Sequence, residues 1–375
     1  MTHIPFLGVS LPVSRTWTDA LEKRFQTFLA TFIKQRRPDD RPDCGERGRT
    51  GARTAKSARA EADVDLYRHL DHDHRAMIRR RVDRIVTNIN TRSGAGHLKD
   101  EQIKRLRPVS DGVTLVSVRS GHDADIIAAA LHEDFPWLAP ATNAVWDALR
   151  RSAAQDLQGA RIPPLLLNGP PGIGKSTWAR RLGELIGVPT GIIEATSEPA
   201  SFAVAGMQKG WNSEAVGKPL ALILQTRIAN PIFVIDEIEK AGCATSSHGK
   251  SYDLTAALLP LLEVESSQAW QCPYFQVPCD MSWISWILTS NDTASLPAPL
   301  RSRLQIIDLP ALTSSQLMSF VEREGAQRGL SDLSIEVALD VLAHASLTGP
   351  EKPSLRTALR LLDRAQALEA RPRLH

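Results

Sequence analysis

A glycine-rich turn between an apolar stretch and an amphipathic stretch carries residues whose types and spacing suit phosphate chemistry. Gly169, Gly174, Lys175 and Ser176 fit the spacing G-x-x-x-x-G-K-[ST] of phosphate-binding loops. Glycines let successive amide N–H groups turn inward, a following helix adds the positive end of its dipole, and the lysine brings a full charge to the outer phosphates. The sequence therefore predicts a nucleotide site whose binding residues are Gly169, Pro170, Pro171, Gly172, Ile173, Gly174, Lys175, Ser176 and Thr177.

A second requirement of phosphoryl transfer is an acidic residue at the end of a neighbouring buried strand, and the stretch "PIFVIDEIEK" provides one. Its apolar run predicts a strand that ends at Asp236 and Glu237. We expect Asp236 and the hydroxyl of Ser176 to hold Mg²⁺, and Glu237 to act as the base toward the attacking water. Taken alone, the acidic pair could also be a polar turn after a strand.

Two further polar positions lie next to apolar runs. Asn291 ends the predicted strand "WISWILTSN", where its carboxamide could orient the water beside the terminal phosphate. Arg301 and Arg303 in "LPAPLRSRLQII" precede another predicted strand, and a mobile arginine can neutralise the charge that develops during phosphoryl transfer. An asparagine after a strand is also a common turn residue, and arginine is ordinarily a surface residue. These assignments therefore depend on the loop and the acidic pair.

The elements that must position these residues fall into four segments. Residues 1–61 are predicted to be a short helix plus a flexible basic linker, and residues 62–135 a small N-terminal mixed domain. From 136 to 310, apolar strands alternate with helices, which indicates a parallel sheet with helices on both faces. Residues 311–375 contain three predicted helices, an all-α lid. The predicted fold class is α/β, of the P-loop NTPase kind, with a partly disordered N-terminal region.

Composition and charge limit the possible partners and location of the protein. No run approaches the roughly 20 apolar residues that a membrane span requires, and the N-terminus has neither the basic region nor the cleavage site of a secretory signal. We therefore expect a cytoplasmic protein with no membrane partner. Residues 1–130 carry 24 Lys and Arg against 17 Asp and Glu, whereas the rest carries 21 against 25. Nucleic acid or an acidic protein could contact the basic part, although Arg-rich stretches are often merely solvated.

The segment from residue 136 to the end resembles the ATPase module of the AAA+ superfamily, and within it the ATPase of Lon proteases. The stretches "GPPGIGKST" and "FVIDEIEK" resemble the Walker A and Walker B motifs. The stretches "LTAALLPLLEVESSQAW", "FQVPCDMSWISWILTSND" and "LPAPLRSRLQII" follow in the order found in Lon and at similar gaps. The first pair is specific to AAA+ proteins, and the later stretches carry the resemblance to Lon.

The resemblance implies roles for matched positions. Asn291 lies where AAA+ proteins have the sensor-1 residue, and Arg303 where they have the arginine finger. Arg356 in "PSLRTALR" lies where a sensor-2 arginine of the lid reaches the nucleotide, and Arg301 and Arg360 are nearby alternates. The implied cofactors are ATP and Mg²⁺. Because an arginine finger acts in trans, the resemblance also implies that the chain binds copies of itself in a ring, expected to be a hexamer.

The stretch "FAVAGMQKGWNSEAVGKP" occupies the place of the pore loop in Lon and its relatives, and Trp211 is the aromatic residue there that could grip an extended polypeptide. Tryptophan is also a common core residue. The resemblance implies an oligomeric ATPase motor that remodels or unfolds protein substrates, alone or with an effector protein. Lon proteases continue past the lid into a proteolytic domain, whereas this sequence ends at His375, so we expect no intrinsic peptidase. The alternative is a DNA-associated AAA+ switch or loader that uses the basic N-terminal region.

Overall fold

The structure is a computed structural model, and its described residues divide by their contacts into two compact units. The described ranges are 2–36, 70–196, 200–207, 215–241, 243–245, 251–348 and 354–371. The smaller unit is Val9–Arg107, and the larger one combines Met1–Gly8 with Pro108–His375. The contacts therefore group the residues from Pro108 onward with the ATPase segment, while the boundary at residue 136 stays a prediction.

The smaller unit is helical in its described part, where its helices are α1 (Arg15–Arg36), α2 (His72–Arg92) and α3 (Asp100–Leu106). Helix α2 begins after Asp71, whose side chain accepts a hydrogen bond from the His74 N–H and so caps the first turn. Ile78 and Val82 are buried along one stripe of α2. The apolar residues of "MIRRRVDRIVTNI" thus recur at helical spacing on the buried face of α2.

Eleven strands are described in the larger unit. They are β1 (Thr2–Ile4), β2 (Val113–Leu115), β3 (Leu165–Asn168), β4 (Thr190–Glu194), β5 (Ile232–Asp236), β6 (Cys243–Thr245), β7 (Ser251–Asp253), β8 (Trp270–Gln271), β9 (Pro278–Cys279), β10 (Ser285–Ser290) and β11 (Gln305–Asp308). Five of them form the central sheet, and the others pair in three small antiparallel sheets, β1 with β2, β6 with β7 and β8 with β9.

The described helices of the larger unit lie between and after these strands. They are α4 (Gly121–Asp134), α5 (Ala139–Ala154), α6 (Lys175–Ile186), α7 (Ala200–Ala205), α8 (Lys218–Thr226), α9 (Leu254–Leu262), α10 (Val264–Gln268), α11 (Ala298–Arg301), α12 (Ser314–Gln327), α13 (Asp332–Thr348) and α14 (Leu355–Glu369). Among the helices that the structure describes, α1 to α14, none has both the length and the apolar character needed to cross a membrane.

The central sheet has the strand order β11-β3-β10-β5-β4, and every neighbouring pair is parallel. Strand β10 lies in the middle and is buried along its whole length, as the continuous apolar run of a strand covered on both faces predicts. The register pairs Leu288 with Leu166 of β3 and with Ile235 of β5. The carboxyl ends of β3, β5 and β10 therefore meet at one edge, and this confirms the α/β class with its parallel sheet.

The core on one face of the sheet joins strand side chains to α4, α5 and α6. Trp178 of α6 is fully buried, and its indole N–H donates to the Thr142 hydroxyl of α5 at 3.1 Å. The indole N–H of Trp137 donates to the Ile173 carbonyl at 2.8 Å. Because Ile173 belongs to the glycine-rich turn, this bond ties the turn to the core.

Helices α12 to α14 form the C-terminal helical part. Thr313 caps α12, and its hydroxyl and the Gln316 side chain form a reciprocal capping box. Leu317, Val321 and Leu362 of this part are buried in the same core cluster as the sheet. The three helices predicted for residues 311–375 are thus confirmed within the described range.

Candidate functional site

The turn between β3 and α6 places backbone amides at the start of a helix. Gly172 and Gly174 have φ of 76° and 93°, in the left-handed region that glycine adopts at little cost. Gly174 is the N-cap of α6, and no side chain caps the helix there. The first amide groups of a helix lack partners within it, so this end of α6 has the character of an anion site.

The lysine of this turn is buried and surrounded by oxygen atoms. Lys175 is 8% exposed, and its Nζ donates to the backbone carbonyls of Gly169, Pro170 (3.2 Å) and Ser290 (3.0 Å). It also donates to Oδ1 of Asn291 at 3.0 Å. All four acceptors are neutral, and a phosphate oxygen would be a stronger acceptor for a charged donor than any of them.

Three acidic residues at the end of β5 and just after it affect the pKa of this lysine. Burial lowers the pKa of Lys175, and the negative charges of Glu239, Asp236 and Glu237 oppose that effect. Glu239 has the largest influence of the three carboxylates. The lysine is therefore placed where a positive charge is costly to bury unless anions lie close to it.

The predicted metal ligands lie together. The Ser176 hydroxyl donates to Oδ1 of Asp236 at 2.9 Å, so the first turn of α6 contacts the end of β5. The same carboxylate oxygen accepts a bond from the Thr289 hydroxyl at 2.5 Å. Thr289 is fully buried in β10 and was not among the residues predicted from the sequence.

Glu237 follows Asp236 in a strained backbone conformation. Its φ is 54°, which is uncommon for a residue other than glycine, and its N–H donates to the Thr289 hydroxyl at 3.0 Å. Its carboxylate is 37% exposed and forms an ion pair with Lys240 at 2.9 Å. The backbone is thus fixed by β10, while the carboxylate stays accessible to solvent.

Asn291 lies between the lysine and a third carboxylate. Its Nδ2 donates to Oε1 of Glu239 at 2.8 Å, and its backbone N–H donates to the same oxygen at 3.2 Å. Glu239 was not predicted as a site residue. The sequence signal that could have found it is its position three residues after Asp236, in the short helical turn that follows β5.

The predicted arginines make none of the contacts described above for this cluster. The guanidinium of Arg303 pairs with Glu263 of the same chain, with Nη2 at 2.6 Å and Nε at 2.7 Å from Oε1. Arg301 is exposed at the end of α11. Arg356 and Arg360 are exposed on α14, whose first residue Leu355 donates its N–H to the Gly172 carbonyl at 3.2 Å. The lid therefore contacts the glycine-rich turn.

Trp211, the residue predicted for the pore loop, lies outside the described residues. Its role stays a prediction.

The donor set suits a nucleotide with a divalent cation. The lysine already holds four oxygen acceptors that phosphate oxygens could replace, and Ser176 and Asp236 offer the oxygen ligands that Mg²⁺ prefers. Within the described ranges, no group of three or more His, Cys, Asp or Glu side chains could hold a metal ion. A cation held by one carboxylate and one hydroxyl fits a site in which phosphates supply further ligands.

Comparison with protein families matches the part of the chain that contains this site. Residues 165–310 match the ATPase family associated with various cellular activities (AAA). This range runs from the first residue of β3 past the end of β11, and so contains all five strands of the central sheet and the whole cluster described above.

Similar proteins include several Lon proteases. The chain is 28% identical to Lon protease 2 of Thermus thermophilus over 54% of its length, and 30% identical to the Lon protease of Elusimicrobium minutum over 47%. It is 32% identical to the mitochondrial Lon protease homolog of Rattus norvegicus over 46%. The matched parts are 25%, 21% and 18% of these relatives, so the chain corresponds to a quarter of their length or less. Residues 165–310 therefore form an AAA ATPase domain, and the chain that carries it is similar to Lon proteases over about half of its length.

Proposed function

We propose that the chain is a Mg²⁺-dependent ATPase that works as a ring, a hexamer by resemblance, and uses ATP hydrolysis to remodel or unfold protein substrates. The observation that carries the ATPase part is the contact of Lys175 with Asn291 and of Ser176 with Asp236 at one edge of the sheet. Groups from three strand ends and one helix start converge there. Such convergence is what binding a nucleotide's outer phosphates and its cation requires.

Each side chain has a stated task in the proposal. Lys175 binds the outer phosphates, and Ser176 and Asp236 hold Mg²⁺, which supplies charge neutralisation when bound. Glu237 accepts the proton of the attacking water. Its solvent-accessible carboxylate and its fixed backbone support that task. Asn291 orients the water through its carboxamide.

Self-association follows from the roles proposed for the arginines. Arg303 is paired with Glu263 in the chain, so its use at a neighbour's site requires that this ion pair opens. The pair is partly exposed, and exposed pairs are typically worth about 1 kcal/mol or less, so opening it is affordable. Arg356 lies two residues beyond Ser354, whose side chain packs at Gly172, which supports a role at the nucleotide from within the chain.

Protein substrates are proposed from the similarity to Lon proteases. The proposal covers ATP-driven work on proteins, with Trp211 as the gripping residue, and it does not include peptide-bond cleavage by the matched ATPase domain. A cytoplasmic location also stays part of the proposal.

A DNA-associated switch is the second candidate. It is favoured by the charge of residues 1–130 and by the exposed arginines of α2, which are Arg79, Arg80, Arg81 and Arg84. Binding of duplex DNA that weakens steeply with added salt and disappears when residues 9–107 are replaced by a short linker would favour this candidate.

Substituting Glu237 tests the ATPase role, whereas a test of the motor role requires a protein substrate whose unfolding can be measured. We expect Glu237→Gln to keep the wild-type affinity for MgATP and to hydrolyse it at least about 100-fold more slowly, because the base is lost while the phosphate contacts stay. The exposed Glu265→Gln is the matched control and should hydrolyse ATP at the wild-type rate. Trp211→Ala should keep ATPase activity and lose the unfolding of a fluorescent protein substrate.

Three results would count against the proposal. Unchanged turnover in Glu237→Gln would remove Glu237 as the base. Unfolding that survives in Trp211→Ala would remove Trp211 as the gripping residue. ATPase activity that is stimulated by duplex DNA but not by unfolded protein would favour the DNA-associated switch over the motor.

A further inference from the structure

The carboxylate of Glu239 is the feature of the site that the assigned roles leave unused. Its Oε1 accepts two hydrogen bonds from Asn291, one from the side chain at 2.8 Å and one from the backbone at 3.2 Å. Its Oε2 is enclosed and has no hydrogen-bond partner among the described residues. Enclosing a carboxylate oxygen without a partner costs free energy, so a purely structural role is a poor explanation for this acidic residue.

The neighbours of Asn291 leave its carboxamide one orientation. Lys175 Nζ is a donor only, so the atom facing it at 3.0 Å must be the amide oxygen. An ionised Glu239 is an acceptor only, so the atom facing it must be the amide nitrogen. Turning the carboxamide by 180° would oppose two donors on one side and two acceptors on the other. Lys175 and Glu239 together therefore determine the direction in which the oxygen and the nitrogen of the Asn291 carboxamide point.

Nucleotide binding should affect the hydrogen bond from Lys175 to Asn291 more than the hydrogen bonds from Asn291 to Glu239. A phosphate attracts Lys175 more strongly than the neutral oxygens that now hold it, so the bond from the lysine to Asn291 is the one exposed to competition. The two bonds to Glu239 lie on the other side of Asn291 and need not break.

We propose that Glu239 is a positioning residue that holds the carboxamide and backbone of Asn291 in the orientation needed for ATP hydrolysis. The inference rests on the proposed function for the role of Asn291. Glu239 acts only through Asn291: it fixes the amide and leaves phosphate binding to Lys175 and the glycine-rich turn.

The first test needs no nucleotide. Hydrogen exchange of the Asn291 backbone amide is measured in wild-type protein, in Glu239→Ala and in Glu239→Gln. Loss of a hydrogen bond to a charged acceptor should speed exchange roughly 10- to 100-fold in Glu239→Ala. Glu239→Gln keeps an oxygen that accepts the bond, so its effect should be smaller. The control Glu265→Ala should leave exchange at Asn291 unchanged.

The second test is a double-mutant cycle in ATP hydrolysis. Glu239→Ala should lower kcat roughly 10-fold or more, because a small misplacement of a catalytic group is costly, and leave the KM for ATP within about twofold. Glu239→Gln should recover a large part of that loss. In an Asn291→Ala background, Glu239→Ala should have no further effect on kcat, since the two residues act as one unit.

The outcomes separate this inference from the proposed function. Wild-type exchange at Asn291 in Glu239→Ala, or kcat losses from Glu239→Ala and Asn291→Ala that multiply in the double variant, would overturn the positioning role. Absence of MgATP turnover in the wild-type chain would overturn the proposed function, and the exchange measurement would still decide whether Glu239 holds Asn291.

Discussion

Thr289 contacts Asp236, the last residue of β5, and Glu237, which follows it. Its hydroxyl donates to Oδ1 of Asp236 at 2.5 Å and accepts the N–H of Glu237 at 3.0 Å, and the residue is fully buried in the middle strand of the sheet. One small side chain therefore fixes both the carboxylate assigned to Mg²⁺ and the unusual backbone of the residue assigned as the base.

We expect Thr289→Val to lower kcat for ATP hydrolysis and to lower the free energy of unfolding by about 1–3 kcal/mol. Valine matches the shape of threonine but leaves the partly buried Glu237 N–H without this partner and Asp236 less well oriented. The measurements are steady-state ATP hydrolysis and denaturant unfolding. Thr142→Val is the matched control, because it removes a buried hydroxyl that accepts from Trp178 away from the cluster. If both variants lose stability and neither loses activity, Thr289 has only a structural role.

The sequence could predict some residues of the candidate site and not others. The turn that holds Lys175 and the Asp236 position could be predicted because glycine spacing and an acidic residue after an apolar run have few other uses. Thr289 could not, because a threonine within a strand is unremarkable. Glu239 is equally ordinary in sequence, since a carboxylate in a polar turn usually faces water. Only the three-dimensional contacts distinguish these two residues.

Helix α6 has a glycine with left-handed φ at each end, and only the first of these belongs to the glycine-rich turn. Comparing the two positions separates the effect on nucleotide binding from the effect of backbone strain. Gly174 and Gly187 both have left-handed φ, of 93° and 80°, at the first and last caps of the same helix. A Cβ at Gly174 would meet Leu355 Cδ1 of the lid at 3.2 Å, whereas at Gly187 nothing lies within 4 Å.

We expect Gly174→Ala and Gly187→Ala each to lower the free energy of unfolding by about 1–2 kcal/mol, since left-handed φ is unfavourable for a residue with a Cβ at either end of the helix. Only Gly174→Ala should also weaken MgATP binding, because any relaxation there moves amides of the phosphate-binding turn. Calorimetric titration with MgATP measures this difference. Equal affinities in the two variants would show that the turn between β3 and α6 does not bind the nucleotide.

At the element scale, strands with an apolar run were predictable, including the short and largely exposed β11, and strands without such a run were not. Strands β3, β5 and β10 are buried almost throughout, so their sequences are apolar and easily recognised. The edge strand β4 reads "TGIIE", with a glycine that leaves room for the Phe233 ring, and lacks such a run. The paired strands β6 to β9 have two or three residues each, too short for an alternation to be evident.

At the scale of the whole molecule, a ring would allow one chain to complete the nucleotide site of its neighbour. If Arg303 acts on a neighbour's nucleotide, Arg303→Ala and Glu237→Gln damage the same reaction from different chains. A mixture of the two inactive variants then contains seams with an intact Glu237 on one side and an intact Arg303 on the other. We expect such mixtures to regain ATPase activity, up to about a quarter of wild type by random mixing of two chains.

The mixing experiment is read as specific activity against the ratio of the two variants. Activity that peaks near equal amounts would support action in trans. Mixtures that never exceed the activity of the separate variants would mean that Arg303 acts within its own chain, or stays bound to Glu263.

The central claim is that the buried lysine of the glycine-rich turn binds the phosphates of ATP, and MgATP titration of wild-type chain against Lys175→Ala tests it most directly. With its charge removed, Lys175→Ala should bind MgATP at least about 100-fold more weakly, because a desolvated charge-assisted hydrogen bond is lost. Both proteins should show the same circular dichroism spectrum, so that lost binding is not lost folding. Equal affinity for MgATP in the two proteins, or no measurable binding by the wild-type chain, would contradict the account.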